Sequence, residues 1–111
     1  MKKLFVIIAL LSSYAMGNNY TDGCKLYRQG KIALRHHKTK DAQSLFLEAK
    51  IIFDKIAKEK HSSQAILKLA NMYCNGYGVV VNKSKAKQLL NEAIKFGAST
   101  QFVSPCLKNL K

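Results

Sequence analysis

From Asp41 to Lys60 the apolar residues Ala42, Leu45, Phe46, Ala49, Ile52, Phe53, Ile56 and Ala57 recur at intervals of three and four, with lysines and acids between them. That interval follows the turn of an α-helix, so one side of the segment is oily and must be covered by another element. The same spacing returns at Ile66, Leu69, Ala70 and Tyr73, and again at Ala86, Leu89, Leu90, Ala93 and Ile94. A looser face over Gly23 to His37 carries Leu26, Tyr27, Ile32, Ala33 and Leu34. Strand signals are scarce, with Val79, Val80 and Val81 the one β-branched run between these segments. The chain is therefore expected to be all-α.

The ends of these segments carry matching punctuation. Ser62 or Ser63 can accept hydrogen bonds from the free amides of the third helix, and Asn82 can do so for the fourth. Gly97 suits the left-handed turn that stops the fourth. Between the third and fourth helices Gly76 and Gly78 permit positive φ, so the chain can reverse while Val79 tucks an apolar group under the turn. The expected product is an antiparallel helical hairpin.

Shifting the chain by 37 residues superimposes Ile32, Ala33, Ala49, Ile52, Phe53 and Ile56 on Leu69, Ala70, Ala86, Leu89, Leu90 and Ala93. A period of this length marks stacked units, each burying its apolar face only against a neighbour. The alanines let helix axes approach, and the larger residues fill the space between them. A third copy would begin near Ala98 and is cut short, so residues 98–111 are expected to form a capping helix.

Upstream of all this, Lys2 and Lys3 precede an unbroken apolar run from Leu4 to Leu11, followed by Ser12, Ser13, Ala15 and Gly17. Charged, apolar and small residues in that order make a cleavable secretory leader, placed here at residues 1–17 with a mature domain at 18–111. The run is far below the roughly 20 residues of a membrane-spanning helix, and no later segment approaches that length. Tyr20 to Gly23 do not form the box that lipid attachment at Cys24 would need. One domain with a modest core is expected, exported to the periplasm or beyond.

Losing Lys2 and Lys3 lowers the formal charge from +13 to +11. Such a surface is drawn to anionic headgroups, acidic envelope polymers or an acidic protein. Nucleic acid is disfavoured, because Phe46, Phe53, Tyr73 and Phe96 fall mostly on the oily helix faces and a stacking platform needs them exposed. Three cysteines, Cys24, Cys74 and Cys106, would enter an oxidising compartment. At least one pair should close there, and the residues by themselves leave all three single bridges open.

Residues Ala65, Leu69, Ala70, Tyr73, Gly76, Gly78, Val79, Ala86, Leu89, Leu90, Ala93 and Gly97 follow a pattern that resembles a Sel1-like repeat, a tetratricopeptide-like unit, best matched over 63–97. Over 28–60 the likeness is confined to the second half-repeat. The upstream copy lacks the loop glycines and has His36 in the place of Tyr73. The resemblance implies an α-solenoid of about two stacked hairpins closed by the C-terminal helix. An exported chain of this kind with cysteines also looks like a short relative of the Helicobacter cysteine-rich proteins. Their paired cysteines lie eight positions apart, where Ile94 and Phe102 stand here. Stacking of successive repeats instead brings the helices of Cys74 and Cys106 side by side and implies that bridge, with Cys24 left as the free thiol. Closing a loop of this size stabilises a fold by about 3 to 4 kcal/mol in the chain-entropy account.

That kinship further implies a search for β-lactam chemistry. Ser84 and Lys87 form S-x-x-K, which puts a serine and a lysine on adjacent positions of one helical turn, but the S-D-N and K-T-G partners of the serine β-lactamases are absent. Ser84 is read as a residue of the helix's first turn, where serine is common. His36 and His37 are adjacent and would point about 100° apart on a helix, and His61 has no companions at ligand spacing. No C-x-x-C-H haem motif occurs, so neither metal nor cofactor is expected. Stacked hairpins line a groove with the first helix of each repeat, and proteins of this build hold peptides or partner proteins there. The leading expectation is thus a binding scaffold with Gln64, Lys68, Asn71, Tyr73 and Tyr77 as contact residues. Two repeats give a small groove, which self-association or a helper subunit would extend. A β-lactam or peptidoglycan hydrolase and a basic binder of anionic surfaces are the rival readings.

Overall fold

Asn19 starts the first helix by accepting a hydrogen bond at Oδ1 from the Asp22 N–H at 2.9 Å. In the computed structural model, which describes residues 19–101 and 103–110, that helix, α1, runs Tyr20–Arg35. The leader assigned to residues 1–17 lies outside the described residues. Helix α2 spans Thr39–Lys60, α3 spans Ser63–Asn75, α4 spans Lys83–Lys95, and a single turn, α5, spans Pro105–Lys108. Ser62 Oγ accepts from the Ala65 N–H at 3.2 Å to open α3, and Asn82 Oδ1 accepts from the Lys85 N–H at 2.9 Å to open α4. No strand is present among the described residues. The chain is all-α.

Helix α1 packs along α2 and α3 along α4, while α2 and α3 join the two pairs. Helix α3 is the central element because both of its long sides are covered. Ala65, Leu69 and Met72 pack into a core with Phe46, Ala49, Ile52 and Phe53 of α2. Ala70 and Cys74, around the helix, pack with Ala86 of α4 and Leu107 of α5. Alanines sit at the closest approaches, with Ala42, Ala49, Ala65, Ala70, Ala86 and Ala93 all fully buried.

The buried face of α1 matches only part of the one its apolar residues suggest. Tyr27 is buried and Leu26 and Ala33 pack beside the core as expected, but Ile32 and Leu34 are 40% and 37% exposed, and Gly23 and Gly30 complete the core side. A Cβ at Gly23 would lie 2.7 Å from Phe53 Cε1, and one at Gly30 would lie 2.7 Å from Phe46 Cε1. Two flat patches on α1 thus receive two phenylalanine rings. Tyr27 wedges between them, edge-on to Phe46 at 5.6 Å and to Phe53 at 6.4 Å between centroids.

The turn between α3 and α4 docks onto α2. Gly76 and Gly78 both hold φ +75°, and a side chain at Gly78 would meet the Phe46–Leu47 backbone at 3.0 Å. Gln43 clasps the turn, accepting from the Gly78 N–H and donating to the Gly76 carbonyl. Tyr77 then lies flat on Phe46, 4.4 Å between centroids and 10° between planes. Val79 is partly buried in this turn, and the exposed Val81 approaches Gly76 closely enough that a Cβ there would lie 2.8 Å from its Cγ2.

The tail is shorter in helix than expected. Of residues 98–111 only Pro105–Lys108 are helical among those described, because Pro105 holds Ser104 extended and can occupy only a first helical turn. Cys106 is bonded to Cys74, with 6.1 Å between their Cα atoms, and this bridge ties the short turn to α3. Cys24 is free and half-buried.

Candidate binding groove

Tyr27 is 4% exposed, yet one edge of it forms the floor of a surface recess. Burial of its ring leaves the phenol unable to shed its proton cheaply, and this desolvation pushes its pKa up to about 12 despite the opposing hydrogen bond from Asn71. Tyr20, two turns earlier, is also raised by burial, and further by its hydrogen bond to Cys24. Both phenols are neutral hydrogen-bonding groups at physiological pH.

Asn71 of α3 is the knot of the site. Its Nδ2 donates to Tyr27 Oη of α1, and its Oδ1 accepts from Ser104 Oγ just before α5. Asn75 Nδ2 donates to the Asn71 carbonyl oxygen at 2.9 Å and to Oδ1 at 2.8 Å. One amide thereby links three segments far apart in the chain. Ser104 reaches it because the Cys74–Cys106 bridge holds the next turn of chain against α3. Lys83 Nζ stands 3.3 Å from Cys106 Sγ and 3.9 Å from Cys74 Sγ, so a cation adjoins the bridge.

Around Tyr27 the surface forms two adjoining hollows. One, of about 370 Å³, is lined by Gln64, Lys68 and Asn71 with Lys31 and Ser104. The other, of about 490 Å³, is lined by Cys24, Arg28, Arg35 and Tyr77, and shares Tyr27, Lys31 and Lys68 with the first. Neither is lined by an acid. Lys68 Nζ lies 4.7 Å and Lys31 Nζ 5.9 Å from the centre of the Tyr27 ring, within reach of the attraction between a cation and a π face.

Of the residues expected to make contacts, Gln64, Lys68 and Asn71 are brought into one hollow, and Tyr77 lines the adjoining one. Tyr73 stands apart. It packs against the Ala70 and Ala86 core, beneath Lys50 Nζ at 5.8 Å. Burial pulls the Lys50 pKa down, but the hydrogen bond and charge of Asp54, 2.7 Å away, outweigh it and leave the group raised. Tyr27, Lys31, Arg28 and Ser104 belong to the groove and were missed by sequence reasoning. A signal for Lys31 existed, since it stands 37 residues before Lys68, the interval of the apolar repetition.

Ser84 and Lys87 are both exposed on α4, and no hydrogen bond joins them. Lys87 lines another apolar cleft of about 420 Å³ with Leu90 and Ile94, which shares Val103 and Leu107 with the smaller hollow and to which Ser84 does not contribute. His36 and His37 are exposed beyond the end of α1, and His61 stacks on Phe96 at 5.0 Å. No group of His, Cys, Asp and Glu side chains suited to a metal occurs among the described residues. No described helix is long and apolar enough to cross a membrane.

No protein-family model, curated protein or solved structure matches this chain. Its class is defined by what the fold contains, an all-helical domain of packed helix pairs with a basic groove and a disulfide-held tail. Helices α1 and α3 and the segment leading into α5 supply the groove walls.

Proposed function

We propose that the chain is an exported scaffold of the Sel1-like kind, a short α-solenoid whose groove holds a peptide or a segment of a partner protein. One observation carries the reading. The first helix of each pair and the tail segment converge on Tyr27 and Asn71, and together they line two adjoining hollows with polar, cationic and apolar groups. Recesses of this size with a few convergent polar groups are the usual form of a binding site. The apolar repetition of 37 residues supports the stacked-repeat reading, as does the shared complete burial of Ala49 and Ala86. Export is supported by the leader pattern of residues 1–17 and by a bonded cysteine pair of the kind oxidising compartments preserve.

Gln64→Trp tests the groove. The residue is exposed on the rim, so a large ring there obstructs the recess without entering the core. A random peptide library displayed on phage should yield sequences captured by the oxidised protein and released by this substitution, with helical circular dichroism unchanged. Peptides that bind both forms equally would overturn the groove as the binding surface. Sequencing the N-terminus of protein recovered from the envelope fraction tests export, with Asn18 the expected first residue.

A further inference from the structure

The walls of the groove carry an unbalanced charge. Arg28, Lys31 and Arg35 follow one another at intervals of three and four on α1, which places them on one side of the helix, and Lys68 faces them from α3. All four line the larger hollow, and none forms an ion pair among the described residues. Helix α1 holds one acid, Asp22, more than a turn from Arg28, and α3 holds none. Like charges at helical spacing repel, so this arrangement costs the free protein energy that an anionic occupant would return.

From this complementarity we infer that the occupant of the groove is an acidic peptide segment, with carboxylates set among apolar side chains. The inference rests on the groove being the binding surface, as proposed above. Arginine forks match carboxylates through paired hydrogen bonds, and Lys31 and Lys68 add point charges on either side of Tyr27. Leu67, Val103 and Leu107 of the smaller hollow give an apolar side chain somewhere to rest, and the exposed Gln64 amide has no hydrogen-bond partner among the described residues and can meet a peptide backbone. Two features oppose the other polyanions. The cations surround a recess rather than a protruding surface, which a plane of lipid headgroups cannot follow. The aromatic rings there are not free to stack on bases, since Tyr27 is 4% exposed and Tyr77 lies on Phe46.

The test uses the oxidised protein with a fluorescein-labelled glutamate-rich peptide and its glutamine counterpart, read by anisotropy at low salt. The glutamate peptide should bind, and the glutamine peptide should bind more weakly. Arg28→Gln with Lys68→Gln should weaken the glutamate peptide about five- to tenfold, as expected for two partly exposed charge contacts. Lys58→Gln with Lys85→Gln, on exposed positions of α2 and α4, removes the same net charge outside the groove and should leave binding unchanged. Equal loss in the two double variants would mean attraction to net charge alone and would overturn the inference. Glutamate and glutamine peptides that bind alike, and are both blocked by Gln64→Trp, would overturn the acidic ligand and leave the groove standing. Failure of both peptides, with inorganic polyphosphate or phosphatidylglycerol vesicles binding through Lys68, would overturn the peptide in favour of another anion. Failure of every probe, together with failure of the phage selection, would remove the groove reading itself.

Discussion

Gly30 shows how much a single missing carbon decides. A Cβ there would stand 2.7 Å from Phe46 Cε1, in a ring that is itself 1% exposed and packed on Tyr27 and Tyr77. On an open helix, alanine in place of glycine stabilises by about 1 kcal/mol. Here the ring has little room to retreat, and overpacking of this kind costs about 1 to 3 kcal/mol. Gly30→Ala should therefore lower the thermal midpoint, and a rise would show that α1 does not rest on Phe46. Tyr27 has a signature in pH. The fold holds its proton above the 10.0 of an unfolded chain, up to about 12, so below pH 10.0 the group leaves stability unchanged. As pH rises from 10.0 towards about 12 the unfolded chain loses that proton first, and stability falls. Thermal denaturation across that range should slope downward in the native chain and slope less in Tyr27→Phe, with tyrosinate absorbance reporting the titration.

At the scale of elements, α3 and α5 make the contrast. Helix α3 is capped by Ser62 and closed by Gly76 in the left-handed region, and it is covered on two sides. Helix α5 is one turn of four residues with Leu107 as its one buried side chain. So short a helix has no stability of its own, and the Cys74–Cys106 bridge must supply what packing does not. Closing a loop with a sequence separation of 32 should be worth about 3 to 4 kcal/mol. Replacing both cysteines by serine should lower the unfolding free energy, read from urea denaturation, by a matching amount. Reduction should also free Ser104 from Asn71 and weaken any ligand of the smaller hollow, while α1 to α4 stay helical by circular dichroism. A ligand held equally well by the reduced and oxidised forms would show that the tail is no part of the groove.

At the scale of the whole molecule, the groove exists because three segments separated in sequence meet at Asn71. The turn after α3 has a matching role on the other side of Phe46, where Tyr77 and Gln43 lock the second helix pair onto the first. The two pairs should accordingly unfold as one unit. Gln43→Ala removes both clasping hydrogen bonds to the turn and should cost about 1 to 3 kcal/mol, with a single denaturation transition retained. Two transitions would show that the pairs are independent.

The helical content, the caps at Ser62 and Asn82, and most of the buried faces of α2, α3 and α4 were legible in the residues, with Ile94 and Phe96 exposed against expectation, because periodic apolar spacing and short polar caps act within a few residues of chain. The covered side of α1 was legible only in part, through Tyr27, Leu26 and Ala33, since glycine carries no hydropathy signal and the use of Gly23 and Gly30 there depends on rings supplied by α2. Nor could the residues tell Tyr73 from Tyr77, two aromatics four apart that end on opposite sides of α3, or show that Arg28, Lys31 and Lys68 share one recess. Local spacing determines which side of a helix is oily. Which side chains meet across the molecule is decided only when the helices pack, because those distances belong to no single segment.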